Sequence, residues 1–275
     1  MSAPDQQSAG GPLASILALS NDHPKKTIFM ALAVCLSCSV VVAAAAVGLR
    51  PMQLANQEAD RTRNIVEVAG VLKPGQSIQE AFRDVEAVMV RLSDGQETDA
   101  VDPQGFSIER ATKDPQMSRA LPRGEDLANI KRLPEYMPVY KVRGADGALQ
   151  TLILPVHGAG LWSTLYGFLA LEGDLRTVQA LKFYQHAETP GLGGEVDNPN
   201  WRAQWRGKVV YDAQWRPTVE LVKGTVDAGA PDAQHKIDGL AGATLTSRGV
   251  EKLINFWLGD NGYGPLIARL RNERG

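Results

Sequence analysis

The chain has 275 residues, 44% hydrophobic and 22% charged, with a formal net charge of -2. That is enough to bury a core, and the charge balance excludes the basic excess with which a protein holds nucleic acid. The two cysteines, Cys35 and Cys38, have a Cys-Leu-Ser-Cys spacing, which in a soluble βα unit would point to thiol or metal chemistry.

Residues 1 to 26 are small and polar, and a disordered tail is expected there. From Thr27 to Leu49 the sequence TIFMALAVCLSCSVVVAAAAVGL carries no charge over 23 residues, long enough to cross a hydrocarbon layer of ~30 Å as a transmembrane helix. Both cysteines fall inside it, where cysteine behaves as a small apolar residue. Ala44 and Ala46 offer an A-x-A cleavage site, but a signal h-region is shorter than this run and is not preceded by so long a polar segment. An uncleaved anchor is the expectation. Lys25 and Lys26 flank one end and only Arg50 abuts the other, with Arg61 and Arg63 nearby, a thin margin of charge that favours the N-terminus inside and residues 50–275 outside.

After the anchor, residues 50–72 read as a helical stalk with a broken apolar stripe, including Leu54, Ile65, Val66 and Ala69. The stretch KPGQS (73–77) ends it, and SIQEAFRDVEAV reads as a second helix capped by Ser77 with Glu80 three residues on. Ser93 to Pro134 has no clear period and reads as an irregular, exposed segment. From Tyr136 two hairpins follow: apolar runs around Ala-Asp-Gly at 145–147 and around Gly-Asp at 173–174 give four antiparallel strands. VVYDAQWRPTVELVKG reads as one more pair. Val250, Leu253, Ile254, Trp257 and Leu258 trace one face of a helix beginning near Ser247. The fold class is α+β, one anchor helix followed by a domain with an antiparallel sheet.

Three stretches depart from ordinary sheet and turn sequence. HGAGLWSTL (157–165) has two glycines that permit close backbone approach and a tryptophan suited to stacking; an ordinary loop with a core Trp is the plainer reading. HAETPGLGGEVDNPNW (186–201) is a glycine-dense loop bracketed by Glu188 and Glu195, read either as a binding loop or as a tight Ω-type loop. HKIDGLAGATLTSRGVEKL (235–253) carries Thr244, Thr246 and Ser247. Capping by Thr246 or Ser247 explains one hydroxyl, while Thr244 and the Gly-Ala approach to a helix start suit an anion such as phosphate.

AVGLR after the anchor, NIVEVAG (64–70), LPVHGAGLWS (154–163), ETPGLGGEVDNPNWR (188–202), DGLAGATLTSRGV (238–250) and FWLGDNGYGP (256–265) occur in one order behind one anchor helix. In this the chain resembles the C-subunit family of the bacterial Na+-translocating NADH:quinone reductases, over nearly its whole length. The related G subunits of ion-pumping ferredoxin:NAD reductases carry the same FMN-binding domain and are the nearest alternative.

The resemblance implies an electron-carrier subunit of a six-subunit inner-membrane complex that couples NADH oxidation and ubiquinone reduction to Na+ export, with the N-terminus cytoplasmic and residues 50–275 periplasmic. It implies FMN joined through its phosphate to the threonine of a D-x-x-S/T-G-A-T motif, here Asp238 to Thr244, with Gly242 and Ala243 before the acceptor. A flavin transferase makes the bond from FAD with release of AMP, and Asp238 positions the hydroxyl or a metal during transfer. Where the motif has Ser or Thr, this chain has Ala241. Thr246 belongs to the same segment, Thr189, Gly191 and Leu192 lie against the flavin ring, Leu161, Trp162 and Ser163 line it, and Lys223 supplies a polar or phosphate contact. Electrons are expected to pass from the iron-carrying D and E membrane subunits to this flavin and on to the flavin-carrying B subunit.

No resident metal site is implied, and no G-x-G-x-x-G follows a strand, so the chain by itself is not expected to oxidise NADH. From a different class, a flavin-free membrane-anchored assembly module would use the same glycine loops to shape a partner surface.

Overall fold

The computed structural model describes residues 12–103 and 105–273. Contacts divide the chain into a unit up to Glu58 and a second from Ala59 onward.

In the first unit, residues 1–11 of the expected disordered tail lie outside the described residues, and Pro12–Leu17 form a short helix, α1. Helix α2, Pro24–Ala69, runs through the apolar stretch and into the second unit without a break. It is long and apolar enough to cross a membrane. Cys35 and Cys38 lie exposed on it. Pro51 is accommodated inside the helix rather than ending it. The helix stops at Ala69 because Gly70 takes a left-handed φ of 65°, a C-terminal cap geometry that glycine adopts without strain.

Ser77 caps α3 (Ile78–Phe82) in a complete capping box: its oxygen accepts from the Glu80 amide, and Glu80 accepts from the Ser77 amide at 2.9 Å. The helix expected to continue through Val88 is only these five residues. Val85–Arg91 is instead strand β1, paired with β2 (Glu97–Thr98). Valines at 85, 88 and 90 suit a pleated surface better than a helix. The irregular segment contains three further short elements, α4 (Ile108–Lys113), β3 (Ser118–Ala120) and β4 (Arg132–Pro134). It is less exposed than expected, since Ala111, Ala128 and Leu133 are buried.

The two hairpins form as read: β5 (Tyr136–Arg143) with β6 (Leu149–Ala159), then β7 (Thr164–Glu172) with β8 (Val178–Gln185). The sheet has the order β2-β1-β5-β6-β7-β8, antiparallel throughout. Strand β6 is buried on both faces from Thr151 to Gly158, which explains its continuous apolar run. One face packs on the end of α2 through Ile65, Val68 and Ala69; the other carries the larger core with the C-terminal helices.

After β8 come the short helix α5 (Pro199–Ala203) and two three-residue strands, β9 (Glu220–Val222) and β10 (Lys236–Asp238). Here the expected hairpin is corrected: within residues 209–224 the described pairing is a single bridge, Tyr211 to Pro217, while Val209 bridges Thr177 and β9 pairs in parallel with β10. Helix α6 spans Thr244–Leu258, with Val250, Leu253, Ile254, Trp257 and Leu258 all buried, as their spacing requires. The chain then turns at Gly262 into α7 (Gly264–Asn272).

Candidate functional site

The three unusual stretches converge on one buried carboxylate. Gly160 and Ser163 close the β6–β7 turn, with the Gly160 amide donating to the Ser163 carbonyl at 2.8 Å. Into this turn projects Glu188, only 5% exposed. Its Oε1 accepts from the amides of Trp162 (2.9 Å) and Ser163 (3.1 Å); its Oε2 accepts from the Leu161 amide (3.2 Å) and from Thr246 Oγ1 (2.7 Å). Glycine is needed on both flanks: a Cβ at Gly160 would lie 2.5 Å from Oε1, and one at Gly193 would lie 2.7 Å from Oε2. Burial raises the Glu188 carboxyl's pKa, but the hydrogen bonds from Thr246 and the three amides outweigh it and hold the group below its ordinary range.

The segment leading to Thr244 is held at every turn. Strand β10 ends at Asp238 in register with Val222, and the Gly239 amide donates to the Val222 carbonyl at 2.8 Å. Asp238 Oδ1 accepts from the Val226 amide at 2.7 Å. Gly242 has a left-handed φ of 71°. Helix α6 begins at Thr244, three residues ahead of the expected start, and Ala243 at its N-cap supplies no side-chain hydrogen bond. Neither Thr246 nor Ser247 is therefore the cap expected from the sequence. Ser247 Oγ instead accepts from the Leu240 amide (2.9 Å) and donates to the Ala243 carbonyl (3.1 Å), bracing the turn, and Thr246 is buried on Glu188.

Among the described residues, the amides of Thr244, Leu245 and Thr246 meet no acceptor. Together with the exposed Thr244 hydroxyl they leave an open helix N-terminus, a geometry suited to an anion. The structure thus brings Thr244, Gly242, Ala243 and Asp238 into one turn, with Leu192 beside it: a Cβ on Gly242 would sit 3.1 Å from Leu192 Cδ2. Thr189 and Gly191 lie in the same tight turn as Leu192, which is closed by the Leu192 and Gly194 amides on the Thr189 carbonyl. Lys223 is exposed one residue past β9, at the end where β10 delivers Asp238.

Leu161, Trp162, Leu192 and Leu245 are all exposed large apolar side chains, Trp162 at 71%, so the plainer expectation of a core Trp162 does not hold. Leu161, Trp162 and Ser163 also line a cleft of about 680 Å³ whose other wall includes Lys113, Lys131 and Arg132. Among the described residues no cluster of three or more His, Cys, Asp or Glu is placed to hold a metal.

The sequence marks Glu188 only as a carboxylate bracketing a loop. Its neighbours carry the stronger signal: the glycines at 193 and, across the fold, at 160 leave room for a buried carboxyl.

Residues 160–259, which hold Glu188, Thr244 and both glycine loops, match the family described as FMN-binding domain. The chain is 54% identical to the C subunit of the Na(+)-translocating NADH-quinone reductase of Pseudomonas aeruginosa, over 92% of this chain and 98% of that protein. It is 44% identical to the protein of the same name from Yersinia pestis, over 94% of this chain and 97% of that one. The chain belongs to this C-subunit family.

Among solved structures, NqrC of Shewanella oneidensis superposes with a TM-score of 0.73 at 31% identity, covering 79% of this chain and 99% of that one. The C subunit from Parabacteroides distasonis gives 0.59 at 26% identity, covering 80% and 96%. The expected α+β class with an FMN-binding domain is therefore met. Membership in the C-subunit family and the FMN-binding match disfavour both the G-subunit reading and the flavin-free module.

FMN suits the residues present. A phosphate ester at Thr244 would meet the unpartnered amides of the first turn of α6, and the exposed apolar side chains of Leu161, Trp162 and Leu192 suit a flat ring.

Proposed function

We propose that this chain is the FMN-carrying electron-transfer subunit of a Na+-translocating NADH:ubiquinone reductase, a membrane translocase, with the cofactor esterified through its phosphate to Thr244 Oγ1. The observation that carries the assignment is the contrast between two hydroxyls in one helical turn. Thr244 is exposed at an uncapped helix start, whereas Thr246 is buried and donates to Glu188. Only the first is open to a second enzyme.

In the attachment step a transferase brings FAD. The Thr244 oxygen forms a bond to the phosphorus of the FMN half, the pyrophosphate bridge breaks, AMP leaves, and the hydroxyl proton passes to solvent or base. The chain's own residues then have separate tasks. The amides of Leu245 and Thr246 and the α6 dipole hold the phosphate charge. Lys223 adds a counter-charge from the end of β9. Leu161, Trp162 and Leu192 give the ring an apolar wall and exclude water from one side, with Thr189 and Gly191 fixing the turn that presents Leu192. Bound FMN supplies the capacity to take up and release one or two electrons, and the protein's part is to orient it and set its surroundings.

In this reading α2 is a single-pass anchor in the bacterial inner membrane, with the N-terminus cytoplasmic and the FMN-binding domain periplasmic. The D and E subunits deliver electrons and the B subunit receives them. Supporting the anchor are the length and composition of α2 and the flanking Lys25 and Lys26.

Peptide mapping of the protein purified from cells that have the transferase tests the attachment. The flavin adduct is expected on the peptide containing Thr244, and Thr244→Ala is expected to abolish the yellow fluorescence that otherwise stays with the band in denaturing gels. An adduct on another residue, or fluorescence retained in Thr244→Ala, would refute it.

A further inference from the structure

We propose that Glu188 is a positioning residue for the flavin site: one buried anion ties the loop that bears Trp162 to the first turn of the helix that bears Thr244, and sets a fixed negative charge between them. The inference rests on the assignment of FMN to Thr244.

The geometry is specific. Both oxygens of Glu188 accept, and every partner donates: three consecutive amides of residues 161–163, Thr246 Oγ1, and Ser163 Oγ at 3.4 Å. Ser163 Oγ in turn accepts from the Ala187 amide at 2.8 Å, which closes the loop back onto the segment carrying Glu188. Three successive amides aimed at one carboxylate fix the turn's backbone, and so the point from which the exposed Trp162 side chain projects. The Thr246 bond fixes the same carboxylate to α6 two residues from Thr244. The two walls therefore have one common anchor.

The group must also be ionised to do this. A protonated carboxyl or a carboxamide would turn a donor toward a backbone N–H, or reverse the Thr246 hydroxyl from donor to acceptor. Glutamine therefore does not conserve the arrangement, although its shape does. Aspartate keeps the charge and is short by one methylene. Burial adds a second consequence: a carboxylate held ionised in a water-poor environment opposes the arrival of negative charge nearby. Glu188 is thereby expected to lower the reduction potential of the group carried by Thr244, as well as to orient its wall.

The experiment uses the full chain, matured with its transferase and purified in detergent, as wild type, Glu188→Gln, Glu188→Asp and Thr246→Val. It reads the adduct by intact mass, the midpoint potential by redox titration, the flavin's visible circular dichroism, and the thermal midpoint. Glu188→Gln is expected to raise the potential and change the flavin dichroism. Glu188→Asp is expected to restore the potential toward wild type. Thr246→Val, which removes one donor and leaves the charge, is expected to alter the dichroism with little change in potential.

A Glu188→Gln protein that is less heat-stable but has wild-type potential and dichroism would reduce Glu188 to a structural role and overturn the proposal. Equal potential shifts in the Gln and Asp variants would overturn the charge argument. If Glu188→Gln does not fold, the Asp and Thr246→Val proteins decide, and wild-type dichroism in both overturns it. Absence of any adduct at Thr244 in the wild type would instead defeat the assignment of FMN on which the inference stands.

Discussion

Trp201 donates its indole N–H to the carbonyl oxygen of Asp238 at 2.8 Å, joining α5 to the residue where the segment leading to Thr244 begins. The next residue, Arg202, pairs with Glu67 on α2 at 2.9 Å. The Trp201 ring is buried edge-on against Trp205, 5.7 Å between centroids. Trp201→Phe keeps an aromatic ring in this packing and deletes the donor. The expected cost is about 1 kcal/mol, the usual net worth of one hydrogen bond, together with a lower fraction of flavin-bearing protein as the attachment segment loosens. Urea unfolding and intact mass measure the two. Unchanged values in both would mean that this bond does not hold the segment.

The turn at 241–242 separates two kinds of glycine-alanine position. Gly242 has φ 71° and faces Leu192, so Gly242→Ala introduces both a left-handed alanine, at a cost of about 1–2 kcal/mol, and a Cβ that Leu192 must give way to. Ala241, where the family's motif has a hydroxyl residue, is exposed. Ala241→Ser is therefore expected to change stability by less than about 0.5 kcal/mol and to leave the adduct level unchanged, whereas Gly242→Ala lowers both. Thermal melts and mass spectrometry of the two variants side by side test this. A marked rise in adduct with Ala241→Ser would show that the transferase reads that hydroxyl directly.

An ion pair with one buried partner ties the sheet to the C-terminal helix. Lys141 on β5 has a side chain only 2% exposed and binds Glu97 at 2.6 Å, and Glu97 also binds Arg269 of α7 at 2.6 Å. The two partners are not equivalent. Glu97→Ala leaves a buried ammonium alone, and because Glu97 itself is partly screened by solvent a loss of about 1–2 kcal/mol is expected. Lys141→Met removes the buried charge and leaves Glu97 with Arg269, so a much smaller loss, or none, is expected. Denaturant unfolding of the two variants distinguishes them; equal losses would contradict the asymmetry.

The fold is legible in the sequence where periodicity is long and unbroken. The two hairpins carry turn dipeptides between apolar runs, and five residues of α6 at helical spacing are all buried. It is not legible in short elements whose pairing is non-local. Residues 85–88, which read as helix, pair with β5, some fifty residues on, and β9 finds β10 in parallel rather than its sequence neighbour. The start of α6 is masked because two hydroxyls that look like caps are engaged elsewhere, Ser247 with the preceding turn and Thr246 with Glu188. The Thr246 bond depends on tertiary packing, which leaves no local signature. At the site, glycine density marks the right loops, but the carboxylate that joins them becomes identifiable only with residues 161–163 and 246 in place around it.

His157 offers a test of burial through pH. Its ring is fully buried on β6, stacked on Tyr166 at 5.5 Å and tilted against Trp257 at 4.9 Å, and neither ring nitrogen has a hydrogen-bond partner among the described residues. Burial pushes its pKa down to about 3. The unfolded chain, with a histidine pKa of about 6.5, therefore binds a proton that the folded chain refuses. Stability from this group is complete above pH ~6.5 and falls as pH drops toward the folded value, by at most about 1.4 kcal/mol per pH unit. The carboxylates held low by their partners, Glu67, Glu97 and Glu188, begin to lose their contribution only nearer their unfolded value, about pH 4.3. The window from pH 6.5 to 5 thus separates His157 from these carboxylates, and comparison with a variant lacking the imidazole separates it from the other histidines. Urea unfolding of the detergent-solubilised chain is expected to show a loss of about 1–2 kcal/mol across that window in the wild type, and a visibly flatter profile in His157→Leu. Equal slopes in the two proteins would mean that the imidazole gains a proton, or a partner for it, in the folded state.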